Sequence, residues 1–222
     1  MLARHSLAWL TPAGWREAEA ASDRDCRDAI TRWRQADWPT IVRRRDADAG
    51  DEQCAVGLAL PPDPASGYKK RIALQASLVH VDKVLPPLAM EEAIAEAPSP
   101  WREPLAELAR TARSAGMTLR VYGSLALQTL TGQAYLTASS DIDVLCYPVT
   151  REQLTVMLGF LQATAAHVPL DGEIVFPSGQ AVAWKEWLAA ENGPTGVRVL
   201  VKEWDGVYLA KLSELHDTLE RK

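Results

Sequence analysis

Asp141 and Asp143 stand two residues apart in the run Ser140-Asp141-Ile142-Asp143-Val144-Leu145. Successive side chains of a strand alternate faces, so a strand carrying both would project them from one side. Ile142, Val144 and Leu145 suit a buried face. Two adjacent carboxylates repel and raise each other's pKa unless a cation lies between them. A hard divalent ion such as Mg2+ or Mn2+ relieves that repulsion and takes oxygen ligands. Upstream, Gly123 and Ser124 end an apolar strand and open a helix, where backbone N–H groups can receive phosphate oxygens. An isolated Asp-x-Asp is as readily a solvent-facing pair. The order strand, Gly-Ser, helix, polar turn, Ser-Asp-Ile-Asp-Val is more specific, and it implies transfer of a phosphorus-containing group with metal help.

Other residues could meet an anionic substrate. Basic side chains gather at Arg43, Arg44 and Arg45 and again at Lys69, Lys70 and Arg71. Alternation places Arg43 and Arg45 on one face. Either cluster is a phosphate clamp or a solvated strand entry. Lys185, between Trp184 and Trp187, contacts phosphates or pairs with Glu186. His5, His80, His167 and His216 have no metal-ligand spacing and lie beside no nucleophile. Gly123-Ser124-Leu125-Ala126 lacks the second glycine of a hydrolase nucleophile elbow.

Several elements must position these groups. Leu7, Trp9 and Leu10 suit a first strand or a buried arm. Residues 15–36 read as one helix, with Ile30 and Trp33 on its apolar side. Residues 40–45 and 54–60 read as a hairpin around an acidic turn at 46–53, and residues 72–80 as a further strand. Pro86 and Pro87 mark a boundary, giving a small β-rich domain over 1–84 and a second domain over 85–222. The second begins with a short helix at 90–97 and a longer amphipathic one at 101–115. A strand at 118–122 leads into the Gly-Ser motif, with a helix at 125–131. After the Asp strand come a helix at 150–167 and strands at 170–176 and 180–183. A helix at 184–190, a strand at 197–202 and a final helix at 207–219 follow. That order describes an α+β chain whose second domain is a mixed sheet with helices packed on one side.

Bulk composition narrows the function classes. A 222-residue chain with 47% hydrophobic residues can bury a core. No run of ~18 apolar residues is present, so no membrane span is expected. Cys26, Cys54 and Cys146 are widely spaced, which suits reduced thiols in the cytoplasm. Net charge is −5, and the acidic excess lies in residues 85–222. That argues against a nucleic-acid partner, which needs many phosphate contacts.

The Gly-Ser and paired-carboxylate pattern resembles the DNA polymerase β-like nucleotidyltransferase superfamily. The runs GSLALQTLTG, SDIDVL and LDGEIVFPSGQAVAWKEW, with RHSLAWL and WPTIVRRR near the N-terminus, resemble the holo-acyl-carrier-protein synthases of malonate decarboxylase. These are also called phosphoribosyl-dephospho-CoA transferases. The resemblance spans nearly the whole chain. It implies a polymerase β-like catalytic domain in which Asp141 and Asp143 hold the metal. A third carboxylate would come from the neighbouring strand, either Asp171 or Glu173. Glu173, just before Ile174-Val175-Phe176, stands slightly ahead. The implied donor is 2′-(5″-triphosphoribosyl)-3′-dephospho-CoA, and the implied acceptor is a serine of the apo acyl-carrier subunit of malonate decarboxylase, with pyrophosphate released. Gly123 and Ser124 would bind terminal phosphates, and the N-terminal domain would add bases for donor or carrier. The rival within the superfamily is an ATP-using enzyme acting on another protein or small molecule. The rival outside it is a non-catalytic binding module.

Overall fold

Thr11 followed by Pro12 is a helix-start signal, and the first helix, α1 (Pro12–Ala20), begins there with Thr11 Oγ1 accepting from Gly14 N–H at 3.1 Å. The computed structural model describes residues 2–46 and 50–220. They divide into two units, Met1–Pro87 with Leu130–Tyr135, and Leu88–Thr129 with Leu136–Lys222.

The expected single helix over 15–36 is two helices, α1 and α2 (Arg27–Gln35), joined through a 3₁₀ turn at Arg24–Cys26. Ser22 Oγ donates back to Ala18 O, and Asp23 takes an extended conformation. Such short polar side chains offer the backbone an alternative to the helix, so the two apolar stripes, Trp15 with Ala18 and Ile30 with Trp33, belong to separate helices.

Strands β1 (Leu7–Leu10), β2 (Thr40–Val42), β3 (Gln53–Ala59), β4 (Arg71–Ser77) and β5 (Val81–Leu85) form an antiparallel sheet in the order β4-β3-β2-β1-β5. The β2–β3 hairpin matches expectation, but β2 ends at Val42 rather than Arg45. Of the expected acidic turn, residues 47–49 lie outside the described residues. The expected strand over 72–80 stops at Ser77. A 3₁₀ turn at Leu78–His80 then sends β5 back beside β1. Glu17 on α1 holds that corner. Its carboxylate accepts from Ser77 N–H at 3.1 Å and from Ser77 Oγ at 2.7 Å, and it pairs with His80 Nδ1 at 2.9 Å. The His80 and Ser77 hydrogen bonds hold the Glu17 carboxyl below its usual value of 4.5. A depressed carboxylate stabilises the fold above its unfolded pKa, and that contribution is lost as pH falls through the folded value. The melting temperature of Glu17→Gln should therefore lie below the parent's at pH 7, with the two curves converging in acid as pH falls through the lowered Glu17 value. Parallel curves across that range would contradict this account.

The second unit holds a seven-stranded sheet. Its strands are β6 (Leu88–Ala89), β7 (Thr118–Tyr122), β8 (Ile142–Tyr147), β9 (Leu170–Val175), β10 (Ala181–Ala183), β11 (Arg198–Lys202) and β12 (Val207–Lys211), in spatial order β12-β11-β10-β9-β8-β7-β6. Only β8 and β9 are parallel. Their crossover is the helix α6 (Arg151–Ala165), capped by Thr150. The other helices are α3 (Met90–Ala93), α4 (Ser99–Ser114), α5 (Gly123–Thr131), α7 (Trp184–Glu191) and α8 (Leu212–His216). Val121, Ile142, Val144, Ile174, Val182, Val199 and Val201 all join the core formed with Leu105, Leu125, Leu154, Leu161 and Trp187 of the helices. One sheet face is thus the core, and the alternate residues form the other face.

Two elements differ from the sequence reading. Leu88–Ala89 adds a short edge strand. The expected helix over 207–219 is a strand followed by a one-turn helix, β12 and α8. Glu203 N–H donates to Gly206 O at 2.9 Å, closing a turn at Trp204-Asp205 that pairs β11 with β12. Val207 and Tyr208 fit a pleated surface better than a helix.

Candidate active site

The non-core face of the second sheet carries the charged residues. In register across β7, β8 and β9 stand Tyr122, Asp143 and Asp171. The next row holds Arg120, Leu145, Glu173 and, on β10, Ala183. Residues directly opposite on one face are side-chain neighbours, so Asp171, not Glu173, is the carboxylate that stands beside Asp143. Asp141 lies one residue ahead of β8 and is exposed, at the mouth of the site rather than in the strand.

Two glycines make this arrangement possible. The polypeptide passes from β7 into α5 with no intervening loop, and Gly123 makes the turn at φ 67°. A Cβ there would collide with Oδ2 of Asp143. Asp143 therefore lodges against the first residue of α5, where the helix dipole favours an anion. Ser124 follows in the same half-buried first turn, whose N–H groups have no intrahelical acceptors. Gly172, between Asp171 and Glu173, has φ 138°, and a Cβ on it would strike the carbonyl of Val144. Its bare backbone lets β9 close on β8.

The remaining charges are organised around the carboxylates. Lys185, in the first turn of α7, has Nζ 3.6 Å from Oδ1 of Asp171 and 5.7 Å from the centre of the Trp184 ring. Lys185 pairs with Asp171 rather than with Glu186, whose carboxylate accepts from Leu200 N–H at 2.8 Å. Glu173 is 3% exposed and receives Lys202 Nζ at 2.7 Å. Lys202 was not foreseen, although alternation along β11 places it on the open face. Burial pushes the Tyr147 hydroxyl up to about 12, with Glu173 adding to the rise against the pull of Arg120. Among the described residues no three His, Cys, Asp or Glu side chains converge as a metal cage. Two neighbouring carboxylates suit an ion that completes its shell with water and substrate phosphate, the usual habit of Mg2+.

The N-terminal bases lie in the first unit. Arg43 pairs with Asp46 at 2.8 Å and donates to Val56 O at 2.8 Å, its side chain lying across Gly57. Arg45 pairs with Asp51 at 2.6 Å. Both brace their own hairpin. Lys69 is half-buried just before β4. Lys70 and Arg71, with Arg24, Asp23 and Asp25, line an open cavity of about 570 Å³, and Lys70 donates to Asp25 O at 3.4 Å.

The class defined by comparison with known proteins is that of an enzyme, a transferase. The chain belongs to the phosphoribosyl-dephospho-CoA transferase family. Residues 87–213 match the family model described as the phosphoribosyl-dephospho-CoA transferase MdcG C-terminal domain, and residues 3–87 match that of the MdcG N-terminal domain. A curated phosphoribosyl-dephospho-CoA transferase of Bradyrhizobium diazoefficiens is 39% identical over 186 residues, covering 82% of this chain and 80% of the relative. One of Xanthomonas campestris pv. campestris is 36% identical over 216 residues, 94% of each. One of Pseudomonas putida is 27% identical over 212 residues, 90% of this chain and 94% of the relative. No solved structure matches the chain. Among the described residues, no helix is long and apolar enough to cross a membrane.

Proposed function

We propose that this transferase moves the phosphoribosyl-dephospho-CoA group from 2′-(5″-triphosphoribosyl)-3′-dephospho-CoA to a serine of the apo acyl-carrier subunit of malonate decarboxylase. The observation that carries the reading is the Asp143–Asp171 pair beside the Gly123 turn, in a chain of this family. The two carboxylates, with Asp141 at the mouth, would hold Mg2+ or Mn2+. Bound there, the ion would supply charge neutralisation to the phosphoryl oxygens. The first turn of α5, from Gly123 and Ser124, would receive phosphate oxygens of the donor. Lys185 would meet a further phosphate oxygen by leaving its ion pair with Asp171. The serine Oγ forms a bond to the phosphorus attached to the added ribose. The bond from that phosphorus to the pyrophosphate oxygen breaks, and the hydroxyl proton passes to Asp171 or a water beside it. The work of these side chains is positioning and charge neutralisation, as in phosphoryl transfer generally. The soluble setting proposed for the pair of partners is the cytoplasm.

Mass spectrometry of the apo carrier after incubation with enzyme, Mg2+ and donor tests the reading directly. A mass gain equal to the phosphoribosyl-dephospho-CoA group supports it. An unmodified carrier, or an adenylyl gain with ATP instead, overturns it. The two downstream acids should then separate by phenotype. Asp171→Asn should lose about a hundredfold in transfer with its melting temperature kept. Lys202→Met should chiefly destabilise, by about 1–3 kcal/mol, because it removes a cation held against the buried Glu173 carboxylate. Equal loss of activity in both, at equal stability, would place Glu173 in the reacting set.

A further inference from the structure

The hairpin of β11 and β12 presents an unusual outer face. Val199, Val201 and Ala210 point into the core. Their neighbours Arg198, Leu200 and Lys202, with Val207, Leu209 and Lys211 opposite, therefore share the face that bears Asp143 and Asp171. Leu200 and Leu209 are direct cross-strand partners and are 37% and 57% exposed; Val207 beside them is 48% exposed. Single exposed apolar residues need no explanation, but a contiguous group marks an interaction site. Next along the hairpin, Arg198 and Lys211 are also direct partners, both exposed. Like charges directly opposite each other destabilise a strand pair. Neither of these two side chains has an ion-pair partner among the described residues. The face thus combines an apolar centre with two cations that form no ion pair among the described residues.

We propose that this hairpin face is where the acceptor protein docks, offering an apolar contact to Leu200, Val207 and Leu209 and one or more carboxylates to Arg198 and Lys211. The inference rests on the transferase reading above, and it specifies the partner as a protein with an acidic rim around an apolar spot. Continuity with the site supports it. β12 lies three strand spacings from β9, about 14 Å at the usual separation, so a small protein seated on the hairpin reaches the Asp143–Asp171 pair with a surface serine.

The test is direct titration of the full enzyme with apo acyl-carrier subunit, read as binding and independent of turnover. Arg198→Glu combined with Lys211→Glu should weaken carrier binding by about tenfold and flatten its salt dependence. Leu209→Ser, an exposed edge change that spares the core, should weaken it by about fivefold or more. Thermal stabilisation by the donor should be unchanged in all variants. Carrier affinity equal to the parent's in both variants overturns the proposal, as does parent enzyme that does not bind the carrier. So does a parent dimer that these changes convert to monomer with carrier affinity intact, which would make the face a contact between copies. Binding without transfer would instead count against the reaction, leaving the docking surface standing.

Discussion

Asp143→Asn is expected to abolish most transfer, by about a hundred- to ten-thousand-fold, while leaving the fold in place. Asp143 is the one carboxylate set between Tyr122 and Asp171 in register and seated on the Gly123 turn. Replacing it keeps the shape but removes the charge that would hold the ion at the start of α5. Loss of several kcal/mol of charge stabilisation in the transition state corresponds to that range of rate. The fold should tolerate the change, because it removes one member of a repelling pair. Single-turnover rates at saturating donor and Mg2+, with a melting curve within a few degrees of the parent, would check both halves. Near-parental turnover at saturating Mg2+ would remove Asp143 from the reaction.

The largest effect on stability is expected from Gly172→Ala. The added methyl would meet the Val144 backbone in a strand with no room to retreat, at a φ of 138° that side-chain-bearing residues rarely adopt. Overpacking against backbone and strain at such an angle together cost about 3–5 kcal/mol. For a chain of this size that lowers the melting temperature by about 10 °C. Gly159→Ala supplies the contrast. Nothing lies within 4 Å of a Cβ there, and an alanine in the exposed middle of α6 should stabilise by up to about 1 kcal/mol. Urea melts of the two variants should therefore move in opposite directions. If Gly172→Ala melts with the parent, β8 and β9 are not drawn together by that glycine.

The parts legible in the sequence are those governed by local pattern. The strand at Thr118–Tyr122, the Gly-Ser helix start, the Asp strand and the amphipathic helix α6 all follow from short-range periodicity and turn chemistry. The misread segments depended on distant partners. The expected strand over 72–80 gives way after Ser77 to a 3₁₀ turn, and β5, just beyond it, exists by pairing with β1, which lies early in the chain. β12 carries a weak local signal, and its hairpin with β11 decides its state. At the site, alternation correctly placed Asp171 and Glu173 on one face. It gave no means of choosing between them, because that choice depends on the register of β9 against β8. The lean towards Glu173 used position relative to an apolar run, whereas the register sets Asp171 opposite Asp143 and leaves Glu173 to Lys202. Arg43 and Arg45 illustrate the same limit. Their charge was evident, but Asp46 and Asp51, which engage them, were not assigned as their partners.

The parallel step between β8 and β9 also sets when competence arises during synthesis. Hairpin neighbours can pair as soon as they are made, whereas these two strands must wait for α6 to be completed and laid across the sheet. Asp143 is synthesised before Asp171, its neighbour across the parallel step. A nascent chain halted within α6 would carry the Gly-Ser turn and the first carboxylate yet have no paired site for a divalent ion. Arrival of the second carboxylate therefore coincides with closure of the sheet, so the affinity for any divalent ion held by the proposed pair would serve as a clock for completion of this unit.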